Sequence, residues 1–288
     1  MYLSPIEEAI ALYRELAVAN PDTYTYHLTD SLMDLSTFLH YLGRYSDALP
    51  PIEESVNLYH KLVVANPYRT SGLALALNNL SIRLSDVGRH SEALPPIEES
   101  VNIHRELVAT EPADYIADLA NVLDTLSSQL SNVERHSEAL PPIEESVGLY
   151  HKLVATRPTS YSSYLAMALN TLSIRLSDTG HYSEALLPIQ ESVSLRRQLV
   201  AKHPVAYTPD LASSLETLSN ILSSLDHYTE ALNAGNESVS LYHPLLAEYP
   251  LAYTQPLQRT LKYIARALDG LGRHDEAVAT RLDADSHS

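Results

Sequence analysis

The sequence predicts an all-α fold, a solenoid of antiparallel helix-turn-helix repeats with a period of about 46 residues, on three observations. A block recurs: SDALPPIEESV begins at Ser46, SEALPPIEESV at Ser91 and Ser137, SEALLPIQESV at Ser183, TEALNAGNESV at Thr229, and DEAV at Asp275. A second column, the prolines at 21, 67, 112, 158, 204 and 250, keeps the same spacing. Between these markers apolar residues recur at helical intervals, as in Leu119, Val122, Leu123, Leu126 and Leu130.

In chain order, residues 1–20 form a half repeat, because Pro5-Ile6-Glu7-Glu8 aligns with Pro51-Ile52-Glu53-Glu54. Ser4-Pro5-Ile6-Glu7 reads as a capping box with proline at N1. Five full repeats follow at 21–66, 67–111, 112–157, 158–203 and 204–249, then a truncated one at 250–288; one residue is missing between Pro67 and Ser91. All of 1–288 thus reads as a single array. Helix A of each repeat should begin a few residues after its proline and stop at Gly43, Gly88, Gly180 or Gly272, where glycine takes the left-handed conformation cheaply. Glu134 and Asp226 replace that glycine in two repeats, at some cost.

Helix B should start at the N-caps Ser46, Ser91, Ser137, Ser183, Thr229 and Asp275, with Glu92, Glu138, Glu184, Glu230 and Glu276 next in line to suit the positive end of the helix dipole. Stripes such as Ile97, Val101, Ile103, Leu107 and Val108 carry it to the next proline. The pairs Pro50-Pro51, Pro95-Pro96 and Pro141-Pro142 predict either a kink or a later start, and Pro244 predicts a bend.

Composition narrows the function. Thirty-six acidic against nineteen basic side chains give a formal charge of −17, which repels nucleic acid and anionic lipid and favours basic partners. No uncharged run approaches the roughly 20 apolar residues of a membrane helix. With no cysteine, disulfides, thiolate zinc sites and cysteine nucleophiles are excluded. No secretory pattern opens the chain, so a cytoplasmic location is expected.

Residues that suggest catalysis have simpler explanations. His90 and His136 recur at one hairpin turn, which fits packing there. His60, His151 and His243 share a column whose members should stand at least about 8–10 Å apart, whereas zinc holds nitrogens at about 2.0–2.1 Å. The adjacent pairs Glu53-Glu54, Glu98-Glu99 and Glu144-Glu145 point in different directions on a helix and read as a solvated acidic face. Neither a metal, a cofactor nor an enzymatic activity is expected.

The columns Leu80-Ser81, Leu84, Gly88, His90, Ala93 and Leu172-Ser173, Leu176, Gly180, Tyr182, Ala185 resemble the tetratricopeptide repeat, with the alanine recurring at 48, 93, 139, 185, 231 and 277. The unit is longer than the usual 34 residues, and this length, with Asn78-Asn79-Leu80, resembles the elongated repeats of kinesin-light-chain-like proteins and multi-copy fungal relatives. The resemblance implies a right-handed superhelix with helix A lining its concave face. It also implies a non-catalytic scaffold that binds a protein or peptide segment there.

On that face the resemblance places Asn78, Ile82 and Asp86, then Asp124 and Asn132, then Asn170, Ile174 and Asp178, then Glu216 and Asn220. Such a path suits a peptide backbone with basic side chains nearby. Arg259, Lys262 and Arg266 continue it with the opposite charge, suited to an acidic residue or a terminal carboxylate. The alternative is a self-associating structural segment, through the apolar residues Ile6, Ile10, Leu12 and Leu16 of the first helix, or a sensor array of a larger signalling assembly.

Overall fold

Proline has a fixed φ and lacks an N–H, and both properties are harmless at the first position of a helix. In the computed structural model, which describes residues 3–286, the marker prolines use this. The helices α2 (Pro21–Tyr41), α6 (Pro112–Asn132), α8 (Pro158–Asp178), α10 (Pro204–Ser224) and α12 (Pro250–Gly270) all begin on the proline itself, earlier than the apolar spacing suggests. The exception is the short repeat. There Pro67–Arg69 is a 3₁₀ turn capped by the Asn66 side chain, which accepts from Tyr68 N at 3.1 Å, and α4 (Thr70–Asp86) follows.

The B helices are α1 (Leu3–Ala19), α3 (Tyr45–Ala65), α5 (His90–Thr110), α7 (His136–Thr156), α9 (Tyr182–Lys202), α11 (Tyr228–Glu248) and α13 (His274–Ser286). Their starts correct the expected caps. Ser46, Ser91, Ser137, Ser183, Thr229 and Asp275 are second helical residues, and the residue before the helix is Arg44, Arg89, His181 or His227 in the four cases with a defined cap. The reason is the left-handed residue just upstream, which turns the chain one residue sooner. The arginine there then reaches forward: Arg44 Nε donates to Asp47 at 2.7 Å, and Arg89 and Arg135 donate to Glu92 and Glu138 at 2.8 Å. The Ser4 cap falls on a side chain outside the described ones.

Left-handed conformations sit where glycine spacing places them, at Gly43, Gly88, Gly180 and Gly272 with φ of 70–80°, and also at Glu134 (62°) and Asp226 (61°). Arg89 N donates to Leu84 O at 2.9 Å and Gly88 N to Ser85 O at 2.9 Å, a paired closure that satisfies the last carbonyls of α4. The B helices run unbroken through Pro50 and Pro51, Pro95 and Pro96, Pro141 and Pro142, and Pro244, so none of them starts at its prolines.

The chain divides into two compact units, 1–146 and 147–288, with the division inside α7. In the first, Ile52, Val56 and Tyr59 of α3 pack on Leu73, Leu77 and Leu84 of α4, with Ala93 closing the cluster. In the second, Tyr242 of α11 packs on Leu257, Leu261, Ile264 and Leu268 of α12. The alanines at 48, 93, 139, 185, 231 and 277 are fully buried, as close helix approach requires.

A second small-residue column is also fully buried: Ser55, Ser100, Ser146, Ser192 and Ser238. Each donates its hydroxyl across to a helix-A carbonyl, of Thr29, Ala74, Ala120, Ala166 and Ala212 respectively, at 2.6–3.0 Å. The Ser81 hydroxyl has no hydrogen-bond partner, whereas its counterpart Ser173 donates back to its own helix, to Leu169 O at 2.8 Å.

Candidate functional site

Two clefts lie mainly over helices A. In the second unit a groove of about 300 Å³ runs over α8, α10 and α12, and five residues of the expected path line it: Ile174, Asp178, Glu216, Asn220 and Arg259. Ser177, Ser213, Thr217 and Tyr263 complete the wall. Its chemistry is amide, hydroxyl and carboxylate around one cation. Asn170 is buried beneath it, and its Oδ1 accepts from Ser214 at 3.3 Å. Lys262 and Arg266 are exposed outside the wall.

Glu216 is not the open acceptor the sequence suggests. It is 6% exposed, accepts from Arg259 Nε at 2.8 Å and from the Tyr242 hydroxyl at 3.2 Å, and burial pushes its carboxyl above the usual carboxylate range despite Arg259. Arg266 NH2 donates to Asn220 Oδ1 at 2.7 Å and to the Asn220 carbonyl at 2.8 Å. Two of the three cations expected on the path, Arg259 and Arg266, are therefore already bound to the preceding helix A. Asp178, exposed at the rim, accepts from Arg175 at 2.8 Å.

In the first unit a cleft of about 320 Å³ lies over α2, α4 and α6, and of the expected residues only Asn78 lines it. Tyr26, Asp30, Tyr59, His104, Tyr115 and Asp118 line it as well, with Ser71 and Asn121, none of them singled out by the sequence. The Tyr59 hydroxyl donates to Asp30 at 2.7 Å. Burial holds the His104 imidazole below its usual value, and its Nδ1 donates to the Ser100 carbonyl at 2.9 Å.

The other expected residues of this unit are dispersed. Asp124 is buried and Ile82 half-buried; Asp86 accepts from His40 at 2.9 Å; Asn132 donates to Ser85 at 3.0 Å and to Gln129 at 3.2 Å. The column Asn78, Asp124, Asn170 and Glu216 is thus buried, with exposures of 4–9%, rather than outward-facing. It is covered because, within each unit, helix A packs against a neighbouring helix A as well as against its own hairpin: α2 on α4 and α4 on α6, then α8 on α10 and α10 on α12.

The histidine column belongs to another surface. His60 and His151 stand 3.9 Å from Glu99 and Glu191 on the next helix B, alternating with Arg105 on Glu145 at 2.7 Å and Arg197 on Glu237 at 2.6 Å. Among the described residues no group of three or more histidines and acids is arranged to hold a metal, and no helix is long and apolar enough to cross a membrane.

The tetratricopeptide repeat model matches residues 73–114 and 165–205, so it covers the second and fourth full repeats, and the same alanine, glycine and proline columns run through the others. These are tetratricopeptide repeats. A second model, anaphase-promoting complex subunit 5, matches residues 10–61.

Among solved structures, BtubC (BKLC) from P. vanneervenii is similar at 15% identity and a TM-score of 0.64, over 84% of this chain and 90% of that one. The Podospora anserina putative kinesin light chain with nearly identical TPR-like repeats is similar at 17% identity and 0.57, over 76% and 95%. Pseudomonas aeruginosa pilF is similar at 15% and 0.53, over 90% and 91%. These likenesses establish the fold of the tetratricopeptide hairpins, an all-α repeat solenoid. No curated protein matches the sequence significantly.

Proposed function

We propose that the chain is a protein-interaction scaffold whose helix-A surfaces bind a peptide or protein segment of basic character. The observation that carries this reading is the groove over α8, α10 and α12, where Ile174, Asp178, Glu216, Asn220 and Arg259 converge from three successive repeats. Short polar side chains there can bond a peptide backbone while Asp178 at the rim meets a cation. A net charge of −17 steers basic segments towards the surface and disfavours nucleic acid.

A peptide array of graded charge tests this. Basic peptides should be retained by the wild type, and the double change Asp178→Ala, Asn220→Ala should weaken retention at least about tenfold, roughly the loss of one good charged contact. Preference for acidic peptides, or retention unaltered by the double change, defeats the reading.

A second reading, self-association, is favoured by one observation: Leu12 and Val18 of α1 are 59% and 87% exposed, and Leu16 is 38% exposed. Ile10 and Ile6 instead pack on Leu28 and Leu32, so they are not the exposed part of that helix. Light scattering across a concentration series should show mass that grows and that Leu12→Lys abolishes; constant monomer mass removes this reading.

A further inference from the structure

The two units carry the same columns but fill them differently. In the second unit the Asn170 amide receives the Ser214 hydroxyl at 3.3 Å, and Asp210 faces Arg196 NH1 at 3.4 Å. Subtracting 92 residues, two repeats, converts Asn170, Ser214, Arg196 and Asp210 into Asn78, Val122, His104 and Asp118. Valine cannot donate to the amide, and a buried histidine held neutral cannot neutralise the acid.

The consequence is visible in the first unit. Asn78 is 4% exposed, lines the cleft over α2, α4 and α6, and its Oδ1 has no hydrogen-bond partner. A buried amide oxygen left unpaired costs about 1–3 kcal/mol. Asp118 lines the same cleft with no cation of the chain bonded to it, and Asp30, which receives the Tyr59 hydroxyl at 2.7 Å and also bonds the Tyr26 hydroxyl, lines it from α2. Because His104 Nδ1 donates to the Ser100 carbonyl, Nε2 is the acceptor of that ring. Arg69 stands beside this cleft, 3.7 Å over the Tyr26 ring, and is not part of its lining.

We propose that this cleft is a socket for one cationic side chain, lysine or arginine, of the bound segment, completing the contacts that Ser214 and Arg196 complete internally in the second unit. This rests on the peptide-binding reading above and adds to it a second site for a cation, at Asp118, Asn78 and His104. The tyrosines that line the cleft offer apolar walls to the aliphatic stem.

The test uses the full chain and a blocked five-residue peptide of glycine and serine around one central lysine, titrated by calorimetry and by the His104 ring-proton NMR shift. Expected are saturable binding with a moving His104 signal, binding at least about tenfold weaker for the N-acetyl-lysine and glutamate counterparts, and a loss of about fivefold or more for Asp118→Asn and Asn78→Val separately. Glu237→Gln, on the helix-B surface away from both clefts, should leave this peptide unaffected.

Loss on Asp178→Ala with none on Asp118→Asn overturns the socket while sparing the scaffold reading. No binding by peptides of any charge overturns both. Butylammonium binding as tightly as the peptide overturns the assignment to a peptide side chain. Melting curves matched to wild type confirm that the variants are folded.

Discussion

The hydroxyl of Ser100 donates to the carbonyl of Ala74 at 2.7 Å, across the contact between α5 and α4. Four other repeats make the same bond, so one serine column ties helix B to the helix A before it in five successive hairpins. Replacing Ser100 by alanine removes a buried donor while leaving a carbonyl that belongs to a helix ladder, and should cost about 1 kcal/mol in urea unfolding. Ser100→Leu must place three more carbons where nothing is exposed and should cost more, about 2–3 kcal/mol.

Two glycines within helices make opposite predictions. A Cβ on Gly72 would stand 2.6 Å from the Tyr59 ring, so Gly72→Ala must displace the ring that bonds Asp30 and should destabilise by about 1–3 kcal/mol. A Cβ on Gly148 meets nothing within 4 Å among the described residues, and Gly148→Ala should stabilise by about 0.5–1 kcal/mol. Thermal melts of the pair check both signs.

Glu134 occupies a left-handed conformation that four other repeats give to glycine. Glu134→Gly should relieve that strain and raise stability by about 1 kcal/mol. At Asp226 the gain should be smaller, since its carboxylate also accepts from the Tyr228 hydroxyl. Denaturant midpoints of the two single variants give the comparison directly.

Burial lowers the folded-state value of His104, with the Ser100 carbonyl and Asp118 opposing the shift. When the folded value lies below the unfolded one, the unfolded chain takes up the proton first as pH falls. Stability is then flat well above about pH 6.5 and drops below it until the folded value is passed. Between about pH 7.5 and about pH 5 the urea midpoint of wild type should fall further than that of His104→Gln; equal slopes would show that this imidazole is not linked to folding.

Most of the fold is legible in the sequence because repetition converts weak signals into columns. The glycine, alanine and proline positions each name a local requirement, and each recurs. The site is less legible. Asn78, Asp124, Asn170 and Glu216 read as outward because a 3.6-residue period marks where the apolar stripe lies, not how far neighbouring repeats extend the covered area around it. The buried serines pass as surface residues for a related reason: one serine carries no burial signal, and only its presence in five repeats does. Asp118 and His104 are legible solely by comparison with Asp210 and Arg196 two repeats on.

The connections themselves set how this protein meets proteases. Glu111, His203 and Tyr249 are each the entire link between one helix and the next, and each of the six hairpin turns among the described residues is three residues long. A protease must draw an extended segment through its active site, and links this short supply none unless a helix end unwinds. Cleavage at these links would therefore measure how often helix ends open, making limited digestion a repeat-by-repeat gauge of local stability.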